Sequence, residues 1–526
     1  MKWTSPLIMF PSKKSFSTFS SKANYKESLM PFKMTLFLLF FLIFGCSSTP
    51  VKNNVSEVTP VSKTNKEQTV SKSINKALPS SYKEISFPEF TYVAPHPKEY
   101  RVQLDDSITG YIVVDRSLPL ISFSMFFKEA TIPTNIKETA ALELLSPMFR
   151  RGGSSVISAN ALDDSLEFIS ASIQGGLGSY YSKISIDCLS KNFEEMLSLS
   201  KSVYTKPGFD EKQLDIQKTS YITSYKRRFD NPSAILSALR SKVNYASSPR
   251  LWNPTIEEYQ NVSKKDLERF AKTKFSANRI VFALAGDIEK DSALVLLKKY
   301  FADWKKTTSR EPTPSMALLK KPGVYAVEKD ITQANISINQ PFVKRPHPDY
   351  YPTAVASFIL GGGSFSSRLT SKIRSEEGLA YSVYSHAGND YNDTALTTIA
   401  LQTKAESAFF AVQLIIQEIQ KLSKEGPTLE ELELAKKTLI ESLHGLFDSP
   451  SSTASIFAAD ELVGKSQDHY LEYVQEINAI TPEQVKAMTA KYFDPQKMTI
   501  SIVGPAKAWE KFENVTVIPI KDLYFR

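Results

Sequence analysis

Cysteine and histidine are both scarce in this 526-residue chain, and each shortage excludes a class of site. If one of the two cysteines, Cys46 and Cys188, carries a lipid, no internal disulfide can form, and the fold must be stable by packing alone. No histidine stands three or four positions from another, so no helix presents a His pair to zinc. Because a catalytic zinc needs three protein ligands, we expect the chain to bind no metal of its own.

The part of the chain that can fold carries little net charge. The net charge is +8, but residues 1–90 hold twelve lysines and five acidic residues, so the remainder is near neutral. A nucleic-acid groove needs Lys and Arg concentrated on the folded part, and the distribution argues against such a partner. The chain is also too long for one hydrophobic core, which favours two domains.

No apolar run is long enough to span a bilayer as a helix. The longest, residues 36–44, has nine residues where about twenty are needed, and it follows Lys33, as in a signal peptide. The run ends beside Cys46 in a segment that resembles a bacterial lipoprotein cleavage site, where the cysteine is acylated. We expect residues 1–46 to form a signal peptide with a lipoprotein cleavage site, in which Met30 and Met34 are alternative starts of translation. This segment would direct export to a bacterial cell envelope and a lipid anchor on the membrane through Cys46. The alternative is a free cysteine after an ordinary signal.

An internal repeat indicates the domain organisation. Residues 262–286 and 480–504 align without a gap at an offset of 218 residues. Each copy predicts a capped helix followed by a buried strand that ends in glycine. The repeat predicts two similar domains, and the segments on either side of them have the composition of linkers. The predicted organisation is a tether over 47–90, a first domain over 91–304, a linker over 305–323 and a second domain over 324–526.

The other predicted elements follow the same order in both halves. Strands over 107–114 and 120–127 precede a helix over 136–151 that ends at two glycines, and a strand over 334–339 precedes a helix over 349–360 that ends at Gly361, Gly362 and Gly363. We expect these glycines to form left-handed helix ends. The predicted fold class is α+β, an α/β sandwich of two homologous domains, each a mostly antiparallel sheet packed with helices.

Three segments, residues 113–120, 285–287 and 367–381, make the chain similar to the insulinase (pitrilysin) family of zinc peptidases over roughly residues 91 to 510. The resemblance implies that the two domains together form one half of a clamshell. Active members carry H-x-x-E-H on the first helix, with a further Glu as third zinc ligand. The corresponding positions here hold no histidine: they are Glu143, Leu144, Leu145, Ser146, Pro147 and, for the third ligand, Ser224.

The second half keeps an arginine and a tyrosine seven residues apart, Arg374 and Tyr381. A helix over 366–374 with Leu369 and Ile373 facing inward, a turn at Gly378 and a strand over 379–383 would direct both side chains at one point. In the family, by resemblance, the matching Tyr stabilises the oxyanion and the Arg holds a substrate carbonyl. The alternative is a solvated helix charge beside a half-buried strand aromatic.

The loop formed by Gly361, Gly362, Gly363 and Ser364 has two interpretations. It lacks the Gly-Lys-[Ser/Thr] of a phosphate loop, which argues against nucleotide binding. In related processing-peptidase subunits a longer glycine-rich loop stands here, and the resemblance implies contact with substrate. A helix stop followed by a tight turn explains the same residues.

The resemblance to the noncatalytic subunits of this family predicts the function. We expect a substrate-binding, transition-state-supporting subunit whose separate partner carries H-x-x-E-H and the zinc, and which acts on peptides or unfolded polypeptides. One alternative is a structural or peptide-binding lipoprotein with no peptidase role. Another is a stand-alone metalloendopeptidase with unconventional zinc ligands.

Overall fold

The computed structural model describes residue 81 and residues 92–525, apart from 129–130, 273, 276–278, 305–315 and 320. The predicted signal segment with Cys46, nearly all of the tether and most of the linker lie outside the described residues, and the domain boundaries stay predictions. Pro88–Arg526 form one compact unit. Within the described ranges, no helix is both long and apolar enough to cross a membrane.

The first half of this unit builds a six-stranded sheet with helices around it. The strands are β1 (Arg101–Asp105), β2 (Ile108–Val114), β3 (Leu120–Phe127), β4 (Ser172–Gly176), β5 (Ser182–Leu189) and β6 (Ile280–Gly286). The helices are α1 (Pro97–Tyr100), α2 (Ile136–Arg151), α3 (Ala159–Phe168), α4 (Phe193–Thr205), α5 (Glu211–Lys226), α6 (Pro232–Asn244), α7 (Ile256–Gln260), α8 (Lys264–Ala271) and α9 (Lys290–Phe301).

The second half builds another six-stranded sheet. Its strands are β7 (Gly323–Glu328), β8 (Gln333–Pro341), β9 (Ala380–Ala387), β10 (Leu396–Lys404), β11 (Thr499–Gly504) and β12 (Thr516–Val517). Its helices are α10 (Tyr350–Ser357), α11 (Ala408–Glu425), α12 (Leu429–Glu441), α13 (Leu443–Leu446), α14 (Pro450–Val463), α15 (His469–Ala479) and α16 (Pro482–Tyr492). Two π-helical segments, Phe358–Gly362 and Thr370–Glu376, lie between α10 and β9.

The two sheets have matching strand orders. The first runs β1-β2-β6-β3-β5-β4 and the second β12-β7-β11-β8-β10-β9, with most neighbouring strands antiparallel. The strands of the repeat, β6 and β11, occupy the third place in each sheet, and each pairs in parallel with one neighbour and antiparallel with the other. The helices before them, α8 and α16, both begin with a capping box. The α+β fold of two similar halves is therefore confirmed.

Each half lends one helix to the sheet of the other. Helix α6 contacts β7, β8 and β11 of the second sheet, and α14 contacts β2, β3 and β6 of the first. The two helices begin at Pro232 and Pro450, which are 218 residues apart, so the repeat extends to them. The exchange creates two apolar clusters in addition to the core of each half, one around Phe457 and one around Leu239.

One prediction about helix ends is wrong. The helix over 349–360 does not stop at a left-handed glycine, because it continues through Gly362 in wider π-helical turns, and Gly363 has a φ of −80°. The left-handed residue is Ser364, with a φ of +51°. At the first helix the prediction is confirmed, since Gly153 has a φ of +65°.

Candidate functional site

The helix at the zinc position of the family contains a proline. Helix α2 is capped by Asn135, whose side chain accepts the N–H of Glu138 at 3.0 Å, and it buries Leu144, Leu145 and Met148. Pro147 has no N–H to donate to the carbonyl four residues earlier, which is that of Glu143. The hydroxyl of Tyr221 donates to this carbonyl instead, at 3.1 Å.

The side chains at this position hydrogen-bond to neighbouring groups. The Glu143 carboxylate accepts the hydroxyl of Tyr259. Burial raises the pKa of Glu143, and the bond from Tyr259 opposes this only partly. Ser146 Oγ accepts the N–H of Leu177 at 3.2 Å. Ser224 is exposed on α5, whereas Tyr221, three residues earlier on α5, reaches α2.

These residues do not fit zinc. They offer one carboxylate, two serine hydroxyls and a proline, where the ion takes imidazole, thiolate or several carboxylates. Among the residues that the structure describes, no three His, Cys, Asp or Glu converge in a group that could hold a metal. The carboxylate and Ser146 line a cavity of about 280 Å³ together with Arg250 and Trp252.

Arg374 and Tyr381 lie together on the surface of the second half, as the sequence predicts. The guanidinium carbon of Arg374 is 4.7 Å from the ring centre of Tyr381 and 4.6 Å from that of Phe365. Tyr381 is 83% exposed and Phe365 is 67% exposed, so the two rings flank the guanidinium at the solvent boundary. We call these three residues the arginine stack.

Three local features of the backbone produce the arginine stack. The segment Thr370–Glu376 is π-helical, and the N–H of Glu377 donates to the carbonyl of Lys372, five residues earlier. Leu369 and Ile373 are fully buried beneath it, as predicted. Gly378 turns the chain with a φ of +62°. The pairing of β9 with β10 then shifts register at Tyr381, a bulge that redirects this side chain out of the strand's alternation.

The neighbouring segments hold the arginine stack in place. Arg368 forms a bidentate ion pair with Glu431 of α12, with both N–O distances at 2.7 Å, and also donates to the carbonyl of Gly426. Burial acts to raise the pKa of Glu431, but the bonds from Arg368 outweigh it, so the pKa is lowered. This charge-assisted pair fixes the start of the π-helical segment.

The segment of Gly361, Gly362, Gly363 and Ser364 is buried at its first residue and exposed at others. A side chain at Gly361 would come within 2.6 Å of the backbone nitrogen of Ser385, so this glycine permits the close approach of helix and strand β9. Gly362, Ser364 and Phe365 are exposed, and Gly363 is partly exposed. Contact of Gly361, Gly362, Gly363 and Ser364 with substrate stays a prediction, and the buried Gly361 serves packing.

Two parts of this geometry have little or no signature in the sequence. Phe365 is visible in the sequence as an aromatic residue close to three glycines and nine residues before Arg374. Its contact with the Arg374 guanidinium, however, depends on the π-helical turns that bring the two side chains together. The roles of Tyr221 and Tyr259 have no signature in the sequence, because their partner Glu143 lies 78 and 116 residues away in the chain.

Comparisons with known proteins match this architecture. Residues 261–439 match the family model described as the peptidase M16 inactive domain. The chain is 26% identical over 369 residues to a Bacillus subtilis protein named uncharacterized zinc protease YmxG, covering 69% of this chain and 87% of that protein. It is 29% identical over 265 residues to a Helicobacter pylori protein named non-peptidase homolog YmxG, covering 49% and 60%. A crystal structure of a peptidase M16 inactive domain from Pseudomonas fluorescens superposes with a TM-score of 0.66 at 24% identity, covering 76% of this chain and 95% of that one.

The chain is a homologue of the M16 peptidases. The resemblance to the insulinase family, which is the M16 family, is thereby confirmed. The matched M16 region runs from α8 into α12 and contains the whole arginine stack. Helix α2, where an active M16 peptidase carries its zinc motif, lies outside the matched residues. The chain is therefore an M16 homologue with the inactive domain and with a first helix that lacks the zinc ligands.

Proposed function

We propose that the chain is the noncatalytic subunit of a two-chain M16 peptidase, in which it binds peptide and supports the transition state at a zinc carried by a second chain. The observation that carries the proposal is the arginine stack. It is an exposed, ordered cluster of one guanidinium and one phenol on a homologue whose own helix α2 holds no imidazole.

The donors of the arginine stack are available to a ligand. Within the described part of the chain, the Tyr381 hydroxyl makes no hydrogen bond and the Arg374 guanidinium makes neither a hydrogen bond nor an ion pair. Their contacts are with ring faces. In the proposed complex Tyr381 donates to the carbonyl oxygen that becomes negative in the transition state, and Arg374 donates to a neighbouring carbonyl of the peptide. Donors placed where charge develops contribute roughly 2.7 to 4 kcal/mol each.

The proposed location is the membrane surface of a bacterial cell envelope, through a lipid on Cys46. The support is the sequence around Cys46, which lies outside the described residues. Mass spectrometry of the N-terminal peptide of the mature chain is expected to show Cys46 as the first residue, acylated. A mature chain that begins elsewhere, or an unmodified Cys46 thiol, would contradict the anchor.

The test of the proposed function uses the partner that is recovered with the chain. Detergent extraction and affinity capture are expected to co-purify a chain with H-x-x-E-H, and cleavage of a fluorogenic peptide is expected to need both chains. Tyr381→Phe should lower this cleavage rate at least about tenfold, because it removes one oxyanion donor.

Tyr325→Phe is the matched control. Tyr325 lies on β7, from which β9 is separated by three strands, and its hydroxyl donates to the carbonyl of Lys321 at 3.0 Å. The control should cleave at the wild-type rate. If Tyr381→Phe also cleaves at that rate, the supporting role of the arginine stack is wrong, and stable association without hydrolysis would favour a structural or peptide-binding role.

A further inference from the structure

A small polar cavity lies between α6 of the first half and strands β8, β10 and β9 of the second sheet. Its volume is about 240 Å³. One face of α6 lines it, with Ser233, Ser237 and Arg240 at positions i, i+4 and i+7. A neighbouring face of this helix carries Ile235, Leu239 and Val243 and is buried against the second sheet. The cavity is thus the polar edge of the surface on which the exchanged helix α6 packs.

The charge inside the cavity is uncompensated. Arg240 is the only charged residue among the described residues that line it, and its guanidinium has no ion pair or hydrogen bond within the described ranges. It is partly exposed, so the cavity gives a ligand access to it. The nearby His386 does not supply a second charge, because burial, aided by the charge of Arg240, lowers the pKa of its imidazole. The net excess is therefore one positive charge.

A buried amide lies on the floor of the same cavity. Asn335 of β8 is 6% exposed, and its side-chain nitrogen has no hydrogen-bond partner. A buried polar group without a partner costs about 1 to 3 kcal/mol. Such a group at the wall of a cavity is satisfied when a ligand with an acceptor enters.

The cavity adjoins the arginine stack. Ser382 and Tyr384 of β9 line it, and Ser382 directly follows the bulged residue Tyr381. A peptide whose backbone meets Tyr381 therefore has the cavity within reach of its next groups. The hydroxyl of Ser382 makes no hydrogen bond to the described residues, so it adds a further donor.

We propose that this cavity is a carboxylate-binding subsite, in which Arg240 and Asn335 hold a carboxylate of a bound peptide. A planar monoanion matches one guanidinium and one amide, and the small volume accommodates a terminal group rather than a folded segment. The C-terminal carboxylate and an Asp or Glu side chain present the same chemistry. That the ligand is a peptide rests on the proposed function; that it is a carboxylate rests on the cavity alone.

The test measures binding to the purified full chain without a partner, by fluorescence anisotropy. Three labelled ten-residue peptides differ only in their acids: a free C-terminus with no acidic side chain, an amidated C-terminus with one Glu, and an amidated C-terminus with none. At least one acidic form is expected to bind with a Kd at least about tenfold lower than the form with none, because a charge-assisted pair is lost in the latter. The form that binds better identifies the source of the carboxylate.

Arg240→Gln should abolish this preference and Arg240→Lys should keep part of it, with thermal unfolding confirming that both variants are folded. Arg227→Gln, at an arginine that is 75% exposed, is the matched control and should bind like the wild type. Equal Kd values for the three peptides, no binding of any of them, or a preference that survives Arg240→Gln would each overturn the proposal. A failure of the proposed function would show differently, as cleavage that is insensitive to Tyr381→Phe while the carboxylate preference remains.

Discussion

Arg101 forms a bidentate ion pair with Glu461 across the interface between the two halves, with Nε 3.1 Å from Oε2 and Nη2 2.9 Å from Oε1. The hydroxyls of Tyr111 and Thr109 donate to the same carboxylate at 2.6 and 3.1 Å, and Arg279 lies 3.2 Å from it. Glu461 is 6% exposed and belongs to α14. This buried carboxylate therefore ties the exchanged helix α14 to the first sheet.

The stability of this interface should fall in acid. Burial acts to raise the pKa of Glu461, but the hydrogen bonds from Arg101 and Tyr111 outweigh it and lower the pKa to about 2. Because the folded pKa lies below the ordinary 4.5, the contribution is full above pH 4.5 and is lost as the pH falls toward 2. Its size is about 3 kcal/mol.

Urea unfolding of Glu461→Gln across this pH range measures the contribution. The variant should be about 3 kcal/mol less stable than the wild type at pH 7, and the gap should close in acid. Glu433→Gln is the control, since Glu433 is 71% exposed and should change stability by less than about 0.5 kcal/mol. A gap that stays constant with pH would refute the assignment.

A second buried pair joins the halves near helix α2. Arg250 and Asp393 are 5% and 1% exposed with an N–O distance of 2.6 Å, and Tyr180 donates to the same carboxylate at 2.8 Å. Asp393→Asn leaves the arginine buried without its counter-charge, and we expect a loss of about 3 to 5 kcal/mol. The double variant Arg250→Met/Asp393→Leu should lose less than the sum of its single variants. A double-mutant cycle in urea checks this, and additive losses would mean that the pair is not coupled.

Glu143 offers a test at the position that corresponds to the zinc motif of the family. Its pKa is raised by burial, despite the bond from Tyr259, so ionisation of Glu143 opposes folding. The sign is opposite to that of Glu461: stability is lost as the pH rises through the interval above the ordinary 4.5. Glu143→Gln keeps an acceptor for Tyr259 and removes the charge. Thermal unfolding should show that the Tm of the variant rises relative to that of the wild type as the pH is raised from 4 to 8. A Tm of the variant that falls relative to the wild type over this range would contradict the account.

The arginine stack predicts that arginine and lysine are not equivalent at position 374. Arg374→Lys keeps the charge but loses the planar group that lies between Phe365 and Tyr381. We expect partner-dependent kcat/KM to fall about tenfold or more, with the free energy of unfolding changed by less than about 0.5 kcal/mol because the site is exposed. Full activity in Arg374→Lys would mean that charge alone matters at this position.

Much of the fold follows from local patterns in the sequence. The strand over 120–127 and the helix over 136–151 have the bounds expected from alternation, helical period and the closing glycines. The repeat of 262–286 at 480–504 predicted the matching strands β6 and β11, because a capped helix leading into a buried strand is encoded within twenty-five residues.

The remaining features depend on contacts that no local pattern contains. The exchange of α6 and α14 cannot be predicted from the sequence, because an amphipathic pattern does not specify which sheet the apolar face of the helix packs on. The π-helical turns at Phe358–Gly362 and Thr370–Glu376 shift the residues that follow relative to an α-helical period. The seven-residue spacing of Arg374 and Tyr381 predicted their proximity, but the bulge that turns Tyr381 outward depends on its pairing with β10.

The central claim is that this chain assists a peptidase whose metal it does not hold. It is tested most directly by assaying the purified chain alone, measuring its zinc content by mass spectrometry alongside its hydrolysis of a fluorogenic peptide. The account predicts substoichiometric zinc and no turnover until a chain with H-x-x-E-H is added. Stoichiometric, tightly held zinc together with chelator-sensitive hydrolysis by the chain alone would contradict it.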